Sequence, residues 1–368
     1  MHLENISLTH FKNYASQEVA FSPQINCFVG PNGSGKTNLL DAIYYLCLTK
    51  SAFNAVDMQN IQHEADFFTI RSSAVKADKS YKLACIQEQG KKKQVSNNGK
   101  AYDRVSEHIG EFPCVLIAPD DTQLIKEGSE ERRKFFDGIL SQLDRVYLDQ
   151  LMQYGHYLKQ RNALLKQFAE RQYIEQDLLD SYNSQLFRLG RLIYERRREF
   201  ILSFIPIFEK HYAMLSDDKE QVGVRYESDV AAADFEQAFR QSQRKDLILK
   251  RTTMGVHKDE FVFEIDGFPI KKFGSQGQQK SFLIALKLAQ FEILAAEKGT
   301  KPLLLLDDIF DKLDDQRIAK LLELVAAQTF GQIFVTDARP ERSREILASI
   351  EAEVRFFEIQ SGRVALIN

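Results

Sequence analysis

Two kinds of apolar spacing divide the chain. At the N terminus, Leu3, Ile6, Leu8 and Phe11, followed past Lys12-Asn13-Tyr14 by Val19 and Phe21, mark the first two strands of a sheet whose intervening polar positions face outward. The run Ile25 to Val29 predicts another strand, and Leu39, Leu40, Ile43 and Leu46 recur behind it at helical spacing. Short alternations such as Tyr81, Leu83 and Cys85 occupy residues 67–101 and end at Asn98-Gly99, a tight-turn pair, predicting a small antiparallel β lobe. A second hairpin is expected at Asp266-Gly267, between Phe261, Phe263, Ile265 and Phe268, Ile270, where it would present the segment that follows. Leu303 to Leu306 suit a strand buried on both faces of a sheet, and Ile333 to Val335 form a further apolar strand.

The period changes from roughly Glu130 to Leu202, where turn residues are sparse. Leu151, Tyr154, Leu158, Leu165 and Phe168 fall at or near seven-residue spacing, and so, after a polar break near Gln172, do Tyr182, Leu186, Leu189 and Ile193. Two helices packed antiparallel explain both stripes, each about 40 Å long or less at ~1.5 Å per residue. Arg161, Arg171, Arg188, Arg191, Arg196, Arg197 and Arg198 decorate this region, and a solvated helix face is their ordinary explanation.

Composition narrows the class. With 368 residues, 44% hydrophobic content, eight prolines and no low-complexity tract or internal repeat, the chain reads as folded throughout, with an ample core. No uninterrupted apolar stretch would span a bilayer, and His2, Glu4 and Asn5 interrupt any secretory signal. Cys27, Cys47, Cys85 and Cys114 are scattered without a Cys-x-x-Cys pair, which argues against a disulfide framework or zinc hook and fits a reducing cytoplasm. The net charge of −3 makes the overall field weak, so a polyanion would have to meet a local basic surface.

The chemistry begins at Gly30-Pro31-Asn32-Gly33-Ser34-Gly35-Lys36-Thr37, set between the Ile25–Val29 strand and the helical run. Strand, glycine-rich loop and helix are the context of a phosphate loop: backbone N–H groups curl round a phosphate chain, Lys36 reaches the β and γ phosphates, and Thr37 holds Mg²⁺. A plain glycine-rich turn is the alternative. Far along the chain, the four leucines run into Asp307-Asp308, where Asp307 would hold Mg²⁺ and Asp308 would polarise an attacking water; a core strand capped by a helix-starting aspartate is the alternative. Between the two, Gly274-Ser275-Gln276-Gly277-Gln278-Gln279 precedes the helical Phe282, Leu283, Leu286 and Ala289. A serine hydroxyl and a glycine backbone at a helix N-terminus make a second phosphate nest, or simply a helix cap. His257, with no histidine or cysteine partner at ligand spacing, is read as packing or hydrogen bonding within its lobe rather than as a metal ligand. Lys91-Lys92-Lys93 would touch nucleic-acid phosphate or merely guard an edge strand.

Ser275-Gln276-Gly277-Gln278 resembles the signature of ABC ATPases, and its place between the phosphate loop and Asp307-Asp308 is the order that superfamily uses; Leu313-Asp314 resembles its D-loop. More narrowly, Leu8 to Tyr14, Pro119-Asp120-Asp121 with Gly128 and Arg132-Arg133, Gly255 to Glu260 and the signature resemble the RecF family over nearly the whole length. Lys12 and Lys258 stand where that family usually has arginine, Val256 where it has proline, and Ala118 where it has serine. Lysine lacks arginine's planar fork for bidentate phosphate contacts. The same resemblance makes DNA contact the alternative to a solvated face for Arg161, Arg171, Arg188, Arg191, Arg196, Arg197 and Arg198.

The resemblance implies an α/β ABC-type P-loop ATPase head built from residues 1–130 and 250–368, with residues 131–249 as an inserted, mainly helical lobe holding a short antiparallel helix pair. Catalytic roles fall to Lys36, Asp307, Asp308 and Ser275. Nucleotide contacts fall to Gly30, Pro31, Asn32, Gly33, Ser34, Gly35, Lys36, Thr37, Lys12, Ser275, Gly277 and Gln278. Mg²⁺ falls to Thr37 and Asp307. Thr336 or Asp337 takes the place of the switch histidine, and Gln123 lies near the expected Q-loop. The implied function is an ATP-gated homodimer that binds duplex, gapped or junction DNA in the cytoplasm, hydrolyses ATP slowly, and assists RecA loading with RecO and RecR in recombinational repair, with no membrane partner. The alternatives are the ATPase subunit of an ABC transporter, and an interaction protein that binds ATP without turnover. A nuclease-coupled ATPase would need a metal domain for which no length remains.

Overall fold

The structure is a computed structural model that describes residues 1–171, 173–216, 220–309, 329–348 and 350–367. The Leu313-Asp314 pair and the break at Gln172 lie outside the described residues. In chain order the elements begin with β1 His2–Leu3, β2 Asn5–Phe11, β3 Tyr14–Ala20, β4 Ile25–Val29, α1 Lys36–Leu48, β5 Phe67–Lys76, β6 Lys79–Glu88, β7 Gln94–Asn97, β8 Lys100–Ala101 and β9 Cys114–Ile117. There follow α2 Gln123–Lys126, α3 Ser129–Leu143, α4 Arg145–Arg171, α5 Gln176–Ser216, β10 Val222–Glu227, α6 Phe235–Gln241 and α7 Gln243–Leu249. The chain continues with β11 Glu260–Ile265, β12 Phe268–Pro269, α8 Ile270–Phe273, α9 Gln276–Lys298, β13 Leu303–Leu306, β14 Ile333–Asp337, α10 Pro340–Leu347, β15 Val354–Gln360 and β16 Arg363–Ile367.

Two compact units result, Met1–Asp121 with Leu286–Asn368, and Thr122–Ala285. The first holds two sheets. One runs β16-β15-β4-β14-β13-β9, parallel except for the edge hairpin partner β16. Its strands β4, β9, β13 and β14 are buried at every position, so β9 and β13 are apolar throughout and β4 and β14 nearly so, broken only by Asn26 and by Thr336-Asp337. The other sheet is antiparallel, in the order β3-β2-β5-β6-β7-β8, with β1 on β5. Residues 67–101 therefore do not stand as a lobe of their own; β5 pairs with β2 and joins them to the N-terminal strands. The turn at Asn98-Gly99 has both residues at positive φ, 51° and 78°, as its sequence predicts. Helix α1 is buried almost all round, and its Leu39, Leu40, Ile43 and Leu46 share one apolar core with Leu8 and Ile70 of the antiparallel sheet and Leu303, Leu305 and Phe334 of the parallel one.

The second unit is mainly helical. Helices α4 and α5 pack antiparallel: Arg161 meets Asn183, while Tyr154 meets Gly190, so partners recede along one helix as they advance along the other. Helix α4 has 27 residues, about 40 Å, but α5 has 41, about 60 Å, longer than its sequence stripe suggested. The helix continues through Pro206, and its extension carries Phe200, Phe204, Phe208 and Tyr212 into an aromatic core with Phe136, Phe261, Phe263 and Phe282. Strand β11 pairs with β10, and this draws residues 250–285, assigned from sequence to the head, into the second unit. The Asp266-Gly267 turn forms, with φ of 49° and 79°, but β12 is only two residues long and Ile270 opens a helix rather than extending the strand.

Two arginines counted among the surface charges are instead interior. Arg161 is buried and donates to Asn183 Oδ1, Asp246 Oδ2 and Thr252 Oγ1 at 2.7, 2.8 and 2.7 Å. Arg197 is buried with Asp259 at 2.7 Å, Asp137 at 2.9 Å and the Val256 carbonyl at 2.8 Å. Arg171, Arg188, Arg191 and Arg198 are exposed. His257 accepts from or donates to Tyr154 Oη at 2.8 Å and to the Thr252 carbonyl at 3.1 Å, which is the hydrogen-bonding role read from its isolation. Burial pushes its pKa down to about 4, so the ring is neutral, with Nε2–H donating to Thr252 O and Nδ1 accepting from Tyr154.

Candidate nucleotide site

The phosphate loop leaves β4 at Gly30 and enters α1 at Lys36. Its glycines are there for space as well as for rotation. A Cβ on Gly30, at φ 153°, would lie 2.3 Å from the Ile359 carbonyl oxygen. A Cβ on Gly35, at φ 118°, would lie 2.5 Å from Asn13 Nδ2. Ile359 belongs to β15, and Asn13 to a brace that holds the loop from outside. Asn13 Nδ2 donates to Ser34 O at 3.1 Å, Tyr14 Oη donates to Gly35 O at 2.8 Å, and Gly362 N donates to Ser34 O at 3.0 Å. Asn38 Nδ2 in turn fixes Asn13 Oδ1 at 2.8 Å. The two-residue turn Ser361-Gly362, at φ 47° and 77°, joins β15 to β16 and delivers that last donor.

Lys36 is buried and donates from Nζ to the carbonyls of Gly30 at 2.8 Å and Pro31 at 3.1 Å, so its charge lies across the loop. Thr37 Oγ1 lies 3.0 and 3.2 Å from the two Asp307 carboxylate oxygens. Thr336 Oγ1 donates to Asp307 Oδ1 at 2.8 Å and accepts from the Asp308 backbone N–H at 2.8 Å. One hydrogen-bonded chain therefore runs from the phosphate loop through Asp307 to Thr336 and Asp308. Burial pushes the Asp307 carboxyl up, against the pull of the Thr336 and Thr37 hydroxyls and the Lys36 cation, while the Asp308 charge adds to the rise.

Asp308 sits at φ 44°, a left-handed conformation that aspartate tolerates, and its buried Oδ1 has no hydrogen-bond partner among the described residues. Ser34 Oγ is likewise buried without one. Two orphaned buried polar atoms, a helix N-terminus and a Thr-Asp oxygen pair are donors and acceptors of the kind that would fit a Mg²⁺-nucleotide, with Thr37 and Asp307 as the residues that would hold the cation. No cluster of three or more His, Cys, Asp or Glu among the described residues forms a protein-only metal cage.

Of the residues singled out from sequence, Gly30 to Thr37, Asp307, Asp308 and Thr336 come together. Asp337 does not join them: Oδ1 accepts from Arg339 N and Oδ2 from Ser343 Oγ, so it secures the start of α10. Lys12 pairs with Asp41 at 2.6 Å, beside Phe11 and Phe53, and not with a phosphate-loop residue. Lys91 pairs with Glu88 and Lys93 with Asp57, each at 2.8 Å. Gln123 opens α2 in the second unit. Ser275, Gly277 and Gln278 belong to the second unit too, at the start of α9. There Ser275 N donates to Gln278 Oε1 at 2.6 Å and Gln278 N donates to Ser275 Oγ at 3.2 Å, the reciprocal capping expected of Ser-x-x-Gln. The braces from Asn13, Tyr14 and Gly362 were not foreseen as site residues; the glycine's only signal was a turn pair between two apolar stretches.

The family model described as the RecF/RecN/SMC N terminal domain matches residues 2–361. The chain is 50% identical over 359 residues to the DNA replication and repair protein RecF of Flavobacterium johnsoniae, covering 98% of this chain and all of the relative. It is 50% identical over 364 residues to that of Cytophaga hutchinsonii, covering 99% and 96%. Among solved structures, it is similar to the recombination mediator protein RecF with ATP in the RecFOR pathway, with a TM-score of 0.90, 28% identity and coverage of 100% and 98%. The Smc head domain of Pyrococcus furiosus shares the fold, with a TM-score of 0.55 and 17% identity over 100% and 96% of the two chains. An α/β ATPase head of the ABC and SMC type is the architecture common to these matches, and the full-length match to RecF relatives sets aside the transporter-subunit reading. No helix among the described residues is long and apolar enough to cross a membrane.

Proposed function

The chain belongs to the RecF family of DNA replication and repair proteins, and from that membership we propose an ATP-dependent DNA-binding switch of recombinational repair. ATP would close two copies head to tail on duplex, gapped or junction DNA, slow hydrolysis would release them, and the clamp would assist RecA loading alongside RecO and RecR in the cytoplasm. The observation that carries this reading is the hydrogen-bonded chain linking Thr37, Asp307, Thr336 and Asp308, because it joins the phosphate-binding end of the head to the group that would manage water.

Thr37 and Asp307 would hold Mg²⁺, which when bound neutralises phosphate charge and orients the oxygens for in-line displacement. Lys36 supports charge developing on the transferred phosphoryl group, in the low-dielectric setting its burial creates. The Asp308 carboxylate, with one oxygen unsatisfied, orients the attacking water, and Thr336 holds the Asp308 backbone in place. Ser275, with Gly277 and Gln278, would meet the nucleotide of the opposing copy. ATP then drives the switch by binding the closed pair better than the separate chains.

The test measures binding to gapped duplex DNA at fixed salt, because phosphate contacts make affinity steeply salt dependent. Native chain, Lys36→Ala and Ser275→Arg are compared with and without ATP and Mg²⁺, alongside ATP turnover. Tighter binding with ATP, lost in both variants, is expected. DNA affinity indifferent to ATP would defeat the clamp.

A further inference from the structure

The start of α9 is anchored by a residue that no motif points to. Gln278 Nε2 donates to Glu220 Oε1 at 2.7 Å, and the other Glu220 oxygen accepts from the hydroxyl of Tyr212, whose ring is buried. An ionised carboxylate only accepts hydrogen bonds, so Glu220 dictates which end of the Gln278 amide faces it. The NH₂ end turns to Glu220, and the carbonyl end is left to receive Ser275 N–H at 2.6 Å. Reversed, the amide would set its own N–H donors against that backbone N–H and open the cap. The closed cap also makes Ser275 Oγ an acceptor from Gln278 N–H, which leaves the proton of this exposed hydroxyl uncommitted among the described residues.

We propose that Glu220 is a positioning residue for the signature serine: by fixing the Gln278 amide it keeps the Ser275 hydroxyl proton available to an anionic oxygen of the opposing copy's nucleotide. Tyr212 fixes the far side of the carboxylate, so the chain of control runs from the aromatic core through Glu220 and Gln278 to Ser275. The inference rests on the reading of Ser275 as acting across the homodimer.

The full chain is tested as Glu220→Gln, Glu220→Ala, Gln278→Ala, the Glu220→Ala/Gln278→Ala double variant and Ser275→Ala. ATP turnover on gapped DNA, affinity for a fluorescent ATP analogue and thermal midpoint are measured. Glu220→Ala, which leaves nothing to hold the Gln278 amide, is expected to lose turnover at least about tenfold while analogue affinity holds, whereas Glu220→Gln, whose carboxamide oxygen can still accept from Gln278 Nε2, is expected to lose less. The double variant is expected to be no slower than Gln278→Ala, because the two act along one path. Native turnover in Glu220→Ala, or losses that multiply in the double variant, would overturn the role of Glu220. Native turnover in Ser275→Ala would instead remove the reading of Ser275 on which the inference rests.

Discussion

Thr336→Val keeps the shape of a buried side chain and removes one hydroxyl. That hydroxyl donates to Asp307 Oδ1 at 2.8 Å and accepts from Asp308 N–H at 2.8 Å, and Thr336 is fully buried, so solvent does not replace it. A hydrogen bond to a charged carboxylate contributes about 1.5–3 kcal/mol, and a buried N–H left unpaired costs about 1–3 kcal/mol. Because the two share one hydroxyl they do not simply add, and a fall in unfolding free energy of about 2–4 kcal/mol is expected. If about half of that loss is felt in the transition state, turnover drops roughly 5–30-fold. The variant also shifts the acid side of the pH profile. Burial already raises the Asp307 carboxyl and the Thr336 hydroxyl opposes that rise, so removing the hydroxyl lets the pKa climb further. Asp307 must be ionised to hold a cation, and turnover of the variant should therefore fail at a higher pH than that of the native chain. Steady-state ATP hydrolysis across pH, with Mg²⁺ in excess, measures both effects. Turnover within twofold of native and an unmoved acid limb would refute the assignment.

Gly362→Ala places a Cβ 2.4 Å from the Asn13 carbonyl oxygen at a φ of 77°, and should cost about 1–3 kcal/mol while weakening ATP-analogue affinity several-fold through the Ser34 brace; unaltered affinity by calorimetry would show the brace to be idle. Arg161→Met strips the buried Asp246 carboxylate of its cation and should lower unfolding free energy by about 3–5 kcal/mol in urea titration. His257, held neutral by burial with a pKa near 4 against an ordinary 6.5, contributes stability that is present above pH 6.5 and is lost as pH falls toward 4. Its full size is about 3 kcal/mol at ~1.4 kcal/mol per unit, and His257→Gln should flatten the urea midpoint between those pH values.

What the sequence disclosed follows the range of the interactions involved. The loop Gly30–Thr37 and the strand before Asp307 were legible because each is a contiguous run whose neighbours set its conformation. The choice between Thr336 and Asp337 was not, since both are polar residues at the end of one strand; only the side-to-side pairing of β13 with β14 turns Thr336 toward Asp307. Arg161 and Arg197 read as solvated charges because their partners, Asp246 and Asp259, lie 85 and 62 residues away. The same separation hid Glu220, 58 residues before the glutamine it orients. Helix α5 outran its stripe because its later turns are buried by aromatic residues rather than by the leucine spacing that marked its start.

The position of β4 has a consequence for how the protein is made. The strand that carries the phosphate loop lies between β14 and β15, and the loop is held from outside by the turn at Gly362. A nascent chain emerging from its N terminus carries the loop early but neither flanking strand until residues 333–360 have been synthesised. A ribosome-stalled or truncated product would present the glycine-rich sequence without the frame that shapes it. The shape of the loop is thus tied to long-range closure of the parallel sheet, so its folding must wait for segments far along the chain even though its sequence is local and contiguous.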